Sequence, residues 1–168
     1  MCLRHLTGLG IVMLLLVTAD TQAITKTATL QVSGSVTARP CTIALPQMTV
    51  GLGDIYTSTL PVPGATTPWV PFTLNLTNCP DGTNNVIATL NGSTDNNGNF
   101  SNQGSASNMA VQLQTTAGQQ LTTGSTLTAG VDQNQNVAFT LQARAITPNG
   151  NPTAGTLQSV INVTYTWQ

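Results

Sequence analysis

The stretch Gly155-Thr-Leu-Gln-Ser-Val-Ile-Asn-Val-Thr-Tyr-Thr-Trp167 decides the fold. Alternate residues form one largely apolar face, and the residues between them are mostly hydroxyl and amide side chains. A repeat of two indicates a long β-strand that buries one face. A second alternating strand is predicted near the N-terminus, where the residues of one face are Ala28, Leu30, Val32, Gly34 and Val36.

Residues 1–23 have the pattern of a signal peptide. Arg4 precedes an apolar run over residues 8–17, and Thr21-Gln-Ala23 supplies the small residues of a cleavage site. The apolar run is too short to span a bilayer comfortably, which disfavours a membrane anchor. We therefore predict export and cleavage after Ala23, with Ala19 as the alternative.

The charge content of residues 24–168 disfavours an enzyme. This part of the chain contains no histidine and no glutamate, and its charged side chains are Lys26, Arg39, Arg144, Asp54, Asp81, Asp95 and Asp132. General acid–base catalysis needs titratable groups held close together, whereas these aspartates are scattered over turn-like segments. The same counts exclude a usual zinc cluster and a basic surface for nucleic acid, and no cofactor is expected.

Two cysteines, Cys41 and Cys79, remain after the signal peptide is removed. In an exported protein a disulfide between them is favoured over free thiols. A loop of this length would stabilise the domain by about 3 to 4 kcal/mol in the chain-entropy model.

The remaining pattern predicts an all-β domain. Alternating apolar residues recur in four further segments, over residues 70–76, 86–90, 109–113 and 137–145. Asn-Gly and Asp-Gly pairs separate several of them and are typical of tight turns. No segment has a helical period, and the proline-rich residues 61–68 are predicted to form a loop. Several short strands with turns between them favour a β-sandwich, which we expect to be Ig-like.

The chain resembles the chaperone–usher pilins, and within that family the minor adaptor subunits of type 1 fimbriae. The resemblance covers the whole chain and depends on the order and spacing of several short motifs. They are Leu30-Gln-Val-Ser-Gly-Ser-Val36, Arg39-Pro-Cys-Thr-Ile43, Leu52-Gly-Asp54, Leu74-Asn-Leu-Thr-Asn-Cys-Pro80, Asn102-Gln-Gly104, Leu141-Gln-Ala-Arg-Ala145 and Val163-Thr-Tyr-Thr-Trp167. Gly155 is fourteenth from the C-terminus, as in the family, and Trp167 replaces the more usual penultimate tyrosine.

This resemblance implies an incomplete Ig-like sandwich that lacks its final strand and is completed by a donor strand from a chaperone or a neighbouring subunit. Residues 24–37 would be the N-terminal donor extension, with Ala28, Leu30, Val32, Gly34 and Val36 on its inserting face, and residues 38–168 the pilin domain. The acceptor groove would be lined partly by Gly155, Leu157, Ile161, Val163, Tyr165 and Trp167. The sequence pattern alone does not separate this interpretation from an ordinary strand of the domain's own sheet over residues 25–37, and without the resemblance the ordinary strand would be favoured.

The implied function is that of a structural subunit of a fimbria, and the motifs favour a minor tip or adaptor subunit that contributes to cell adhesion. A major rod pilin is the alternative, and a receptor-binding adhesin is a more distant one. The implied partners are a periplasmic chaperone, an outer-membrane usher and neighbouring pilins, with no nucleic acid and no small-molecule substrate. The protein would pass through the periplasm to the cell-surface fimbrium.

Overall fold

Antiparallel β-strands form the fold in the computed structural model, which describes residues 31–35 and 39–168. The predicted signal peptide and most of the predicted donor extension lie outside these residues. The strands are β1 (Thr42–Ile43), β2 (Ala65–Thr66), β3 (Val70–Thr77), β4 (Asn85–Asn91), β5 (Phe100–Ser101), β6 (Ala110–Thr115), β7 (Gln120–Leu121), β8 (Thr126–Gly130), β9 (Val137–Thr147) and β10 (Asn162–Trp167). In the described part of the chain, helical structure is confined to a 3-10 turn at Thr57–Thr59, and no helix there is long and apolar enough to cross a membrane.

The strands form two sheets. The larger has the order β1-β3-β9-β6-β5, with β2 paired to β9 and β7 paired to β6. The smaller has the order β10-β4-β8, so the C-terminal strand lies at its edge. Both sheets are antiparallel throughout, and residues 39–168 belong to one compact unit. The all-β, Ig-like prediction is therefore confirmed.

The inner faces of the sheets enclose two apolar clusters. The first, here named the closed core, contains the disulfide-bonded pair Cys41 and Cys79 together with Leu76, Val86, Ala88, Val137 and Phe139. The second, named the groove core, consists of Leu90, Phe100, Val111, Leu113, Leu121, Leu141 and Ala143. Strand β9 contributes to both because its alternate residues are buried along its whole length.

Four of the predicted strands are present as β3, β4, β6 and β9. The C-terminal strand differs from the prediction, because β10 begins at Asn162 rather than at Gly155. Its pairing partner β4 ends at Asn91, which lies opposite Asn162. Residues before Asn162 therefore have no residue of β4 to pair with. Strand β8 was missed because only Leu127 and Ala129 carry an apolar alternation there, and the proline-rich loop contains the short strand β2.

Candidate functional site: an open groove beside the C-terminal strand

An open groove of about 1430 Å³ separates residues 43–57 from residues 152–165. Its floor comes from the groove core and from the inner face of β3, through Phe72, Leu74, Leu90, Leu113 and Leu141. Apolar side chains along its walls are exposed, and they include Leu45 at 60% and Tyr56 at 69%. Asp54 is the one charged residue among the described residues that line it. The groove therefore suits an uncharged, apolar occupant.

Among residues 31–35 and 39–168, none pairs with the outer side of β10, whose backbone hydrogen-bonding groups there face the groove. Gln168 and Asn85 exchange two hydrogen bonds, with N···O distances of 2.9 and 3.1 Å. Hydrogen-bonded pairs recur at every second residue of an antiparallel ladder, so Asn162, Thr164 and Thr166 direct their N–H and C=O groups towards β4. The N–H and C=O groups of Val163, Tyr165 and Trp167 consequently point to the free edge of the sheet.

The preceding segment, residues 155–161, continues this edge although it lies outside the ladder. Even-numbered residues are bound to the loop at residues 101–106: the N–H of Ala106 donates to the carbonyl of Thr156 at 3.1 Å, and the N–H of Gln103 donates to the carbonyl of Gln158 at 2.7 Å. The odd-numbered residues Gly155, Leu157 and Ile161 line the groove. One acceptor edge thus runs from residue 155 to residue 167.

Glycine allows the acceptor edge to lie this close to the loop. A Cβ atom on Gly155 would stand 2.7 Å from Ser105 Oγ and 2.8 Å from Ser105 C, and would also contact the N of Ala106. Real Cβ atoms do not approach backbone atoms so closely, so a side chain at position 155 would push the edge away from the loop. The requirement at Gly155 is one of close approach, not of unusual backbone conformation.

Ser159 is the polar exception on the apolar face of the edge. Its hydroxyl lies 2.8 Å from the carbonyl oxygen of Ser101 and 3.3 Å from that of Phe100. A hydroxyl that donates in this way is not left unsatisfied in an apolar site.

Tyr165 joins the groove to the closed core. Its ring packs against Phe139 at a centroid distance of 6.1 Å and a tilt of 33°. Burial disfavours the phenolate and raises the pKa of Tyr165 above its ordinary value.

The wall opposite the acceptor edge leaves the sheet after Ala44, whose N–H donates to the carbonyl of Asn75 at 3.1 Å. Residues 45–55 then run beside the groove, and Val50 and Leu52 pack against the groove core. The sequence-based prediction missed this wall. The alternation of Met48, Val50 and Leu52 is the signal that could have identified it.

The residues predicted for the acceptor groove are placed as follows. Those along its edge are Gly155, Leu157, Ile161, Val163 and Tyr165. Trp167 is the last residue of β10, is 36% exposed and is not among the residues that line the groove. For the predicted donor extension, Val32 is 85% exposed, and a Cβ on Gly34 would meet no atom within 4 Å. Ala28, Leu30 and Val36 lie outside the described residues.

Comparison with known proteins gives the family. The fimbrial protein family model matches residues 30–167. The uncharacterized fimbrial-like protein YdeR of Escherichia coli K12 is 46% identical over 154 residues, 91% of each chain. Protein FimG of the same strain is 45% identical over 155 residues, 92% of each chain. The crystal structure of the P pilus rod subunit PapA aligns with a TM-score of 0.63 at 19% identity, covering 77% of this chain and all of PapA. The chain therefore belongs to the fimbrial protein family.

Proposed function

We propose that this protein is a structural subunit of a chaperone–usher pilus whose groove takes up a β-strand from another protein. The observation that carries the proposal is the acceptor edge, where unpaired backbone groups stand beside an open apolar floor. An added strand would satisfy these groups and cover the groove core at the same time. Main-chain hydrogen bonds would give affinity, and the side chains on one face of the strand would fill the groove.

The protein's own donor would be residues 24–37, with Ala28, Leu30, Val32, Gly34 and Val36 on the inserting face. The alternation of these residues with Gln31, Ser33 and Ser35 supports this assignment, because alternate residues of a strand lie on one face. The acceptor residues would be Leu157, Ile161, Val163 and Tyr165, with Gly155 holding the edge in place. Trp167 would contact the partner from the open end of the strand.

The role is structural, in agreement with the fimbrial relatives and with the scarcity of acid–base groups. A signal peptide over residues 1–23 would send the chain to the periplasm, where a chaperone supplies the first strand. An outer-membrane usher would then exchange it for the extension of a neighbouring subunit on the way to the cell-surface fimbrium. Motifs that resemble adaptor subunits favour a minor tip or adaptor position over the rod.

Thermal melting tests the proposal. A variant that lacks residues 24–37 is released from its chaperone and melted with and without a synthetic peptide of those residues. A peptide at about 100 times its Kd should stabilise by about 2.7 kcal/mol, which raises Tm by about 10 °C for a domain of this size. A rise with the protein's own peptide favours a self-polymerising rod subunit. A rise only with another pilin's extension favours an adaptor. A chain that is stable and indifferent to every donor peptide contradicts the proposal.

Gly34→Arg tests the donor assignment separately. The bulky charged side chain would enter an apolar groove, so the variant should bind its chaperone but fail to join fibres. Ser33→Arg is the matched control, because residue 33 lies on the other face of the extension and its charge stays in solvent. Normal incorporation of Gly34→Arg into fibres would remove residue 34 from the inserting face.

A further inference from the structure

We propose that Asn102 is a positioning residue, which holds residues 155–159 of the acceptor edge in place before any donor strand arrives. The inference rests on the proposed function, because it concerns the side chain that keeps the groove ready for a donor strand. Its basis is the set of hydrogen bonds that this one amide makes.

All of the bonds made by the Asn102 side chain tie two segments of backbone together. Its Nδ2 donates to the carbonyl of Ala106 at 2.7 Å and to the carbonyl of Thr156 at 3.1 Å. Its Oδ1 accepts from the N–H of Gly104 and from the N–H of Gln158, both at 2.8 Å. An asparagine amide has two donor hydrogens and one oxygen that accepts two bonds, so its capacity is fully used.

The two bonds to the edge reproduce what a neighbouring strand would do. Thr156 C=O and Gln158 N–H are the groups that an antiparallel partner would bind on the inner side of this segment. Strand β4 ends at Asn91 and cannot reach them. Beyond the end of β4, the Asn102 side chain therefore binds the inner backbone groups that a strand would otherwise pair with.

The loop around Asn102 is shaped for this contact. Gly104 lies so close to Thr156 that an added Cβ would stand 2.6 Å from Thr156 Oγ1 and would also collide with the backbone of Thr156. Ser105 adds bonds from the same loop, since its N–H donates to Thr156 Oγ1 and its Oγ accepts from Thr156 N–H, both at 3.0 Å. The loop thus fixes the inner side of the edge while the outer side stays free.

This arrangement has a consequence for strand addition. Without Asn102 the segment would keep fewer bonds to the loop, and the free energy of donor binding would be reduced by the cost of restricting its remaining motion. With Asn102 in place, the backbone groups at residues 155, 157 and 159 are already aligned for pairing.

The test compares Asn102→Ala with Asn99→Ala in the full chain. Asn99 is a matched control, because it is buried at 2% exposure and its amide bonds to Asp95 and Gln120 rather than to the edge. Residue-resolved amide exchange is measured on the monomer before any donor peptide is added. Asn102→Ala should speed the exchange of Gln158 at least about tenfold, the factor expected for one lost hydrogen bond. The amides of Asn162, Thr164 and Thr166 should be unchanged, as should Gln158 in Asn99→Ala.

The rate of donor addition provides the functional readout. At denaturant concentrations that match the stability of the two variants, Asn102→Ala should take up a donor peptide about tenfold more slowly than Asn99→Ala. Equal rates at matched stability would reduce Asn102 to an ordinary structural residue and overturn the inference. Unchanged exchange at Gln158 would also overturn it. The exchange measurement needs no donor, so its outcome for Asn102 is separate from the test of strand addition.

Discussion

The closed core and the groove core belong to one sandwich, yet they differ in how completely they are covered. The closed core is covered on all sides by the two sheets and by the disulfide between Cys41 and Cys79. The groove core is covered by the larger sheet on one side but opens on the other, where residues 45–55 and 155–161 leave their sheets. One end of the sandwich is therefore closed, and the other carries the open groove.

The largest effect should come from removing a side chain from each core. Phe139→Ala should lower the free energy of unfolding by about 3 to 5 kcal/mol whether or not a donor strand is bound, because its surroundings are closed. Leu141→Ala should lower it by about 2 to 5 kcal/mol in the donor-bound form but by less in the free form, because Leu141 lines the groove and the space left by its side chain is open to solvent there. Urea unfolding of both forms measures the difference. Equal losses for Leu141→Ala in the two forms would mean that the groove core is already complete.

The disulfide is the next largest contribution, and it acts on the closed core. Cys41 and Cys79 are separated by 38 residues. Cys41→Ser combined with Cys79→Ser should cost about 4 kcal/mol in the chain-entropy model and sharply reduce the periplasmic yield. Urea unfolding and the yield from periplasmic extracts check this. An unchanged yield would show that the closed core does not depend on the bond.

A smaller effect is expected at the acceptor edge. Gly155→Ala should destabilise the domain by about 1 to 3 kcal/mol, because the added Cβ meets the backbone of Ser105 and Ala106. Gly51→Ala is the matched control on the opposite wall, where an added Cβ meets no atom within 4 Å. Thermal unfolding of the two variants should separate them. Equal behaviour would show that the edge can move away from the loop without cost.

The smallest effect concerns Tyr165, which links the two cores. Its pKa is raised in the folded protein by burial. Because the unfolded chain ionises first, this residue's contribution to stability is fully present below pH of about 10 and is lost as the pH rises towards the folded pKa. Tyr165→Phe should remove that part of the alkaline loss, which unfolding curves from pH 8 to 11 would detect. An identical alkaline loss in the variant would contradict the assignment.

Period-two patterns predicted the strands that bury a full face, because each has several large apolar residues in alternation. They did not predict β8, where threonine and glycine fill most positions, nor where β10 would begin. The start of β10 is set by the end of β4, a distant segment, and no local pattern in residues 155–167 encodes it.

The groove was predicted only from one side. Leu157, Ile161, Val163 and Tyr165 carry an alternation that is visible in the sequence, whereas residues 45–55 form a wall without regular strand pairing. Arg144 makes contacts that no local pattern predicts. Its guanidinium stacks on Trp69 at 4.1 Å and its Nε donates to Gln112 Oε1 at 2.8 Å, contacts that join three strand or loop segments and have no sequence signature.

Residue-resolved amide exchange across residues 162–167 tests the central claim most directly. Without a donor, the amides of Asn162, Thr164 and Thr166 should be protected by β4, and those of Val163, Tyr165 and Trp167 should exchange quickly at the free edge. Addition of a donor strand should protect the second set and leave the first unchanged. Equal protection of both sets in the donor-free protein would show that the edge is already paired, and would contradict an open acceptor strand.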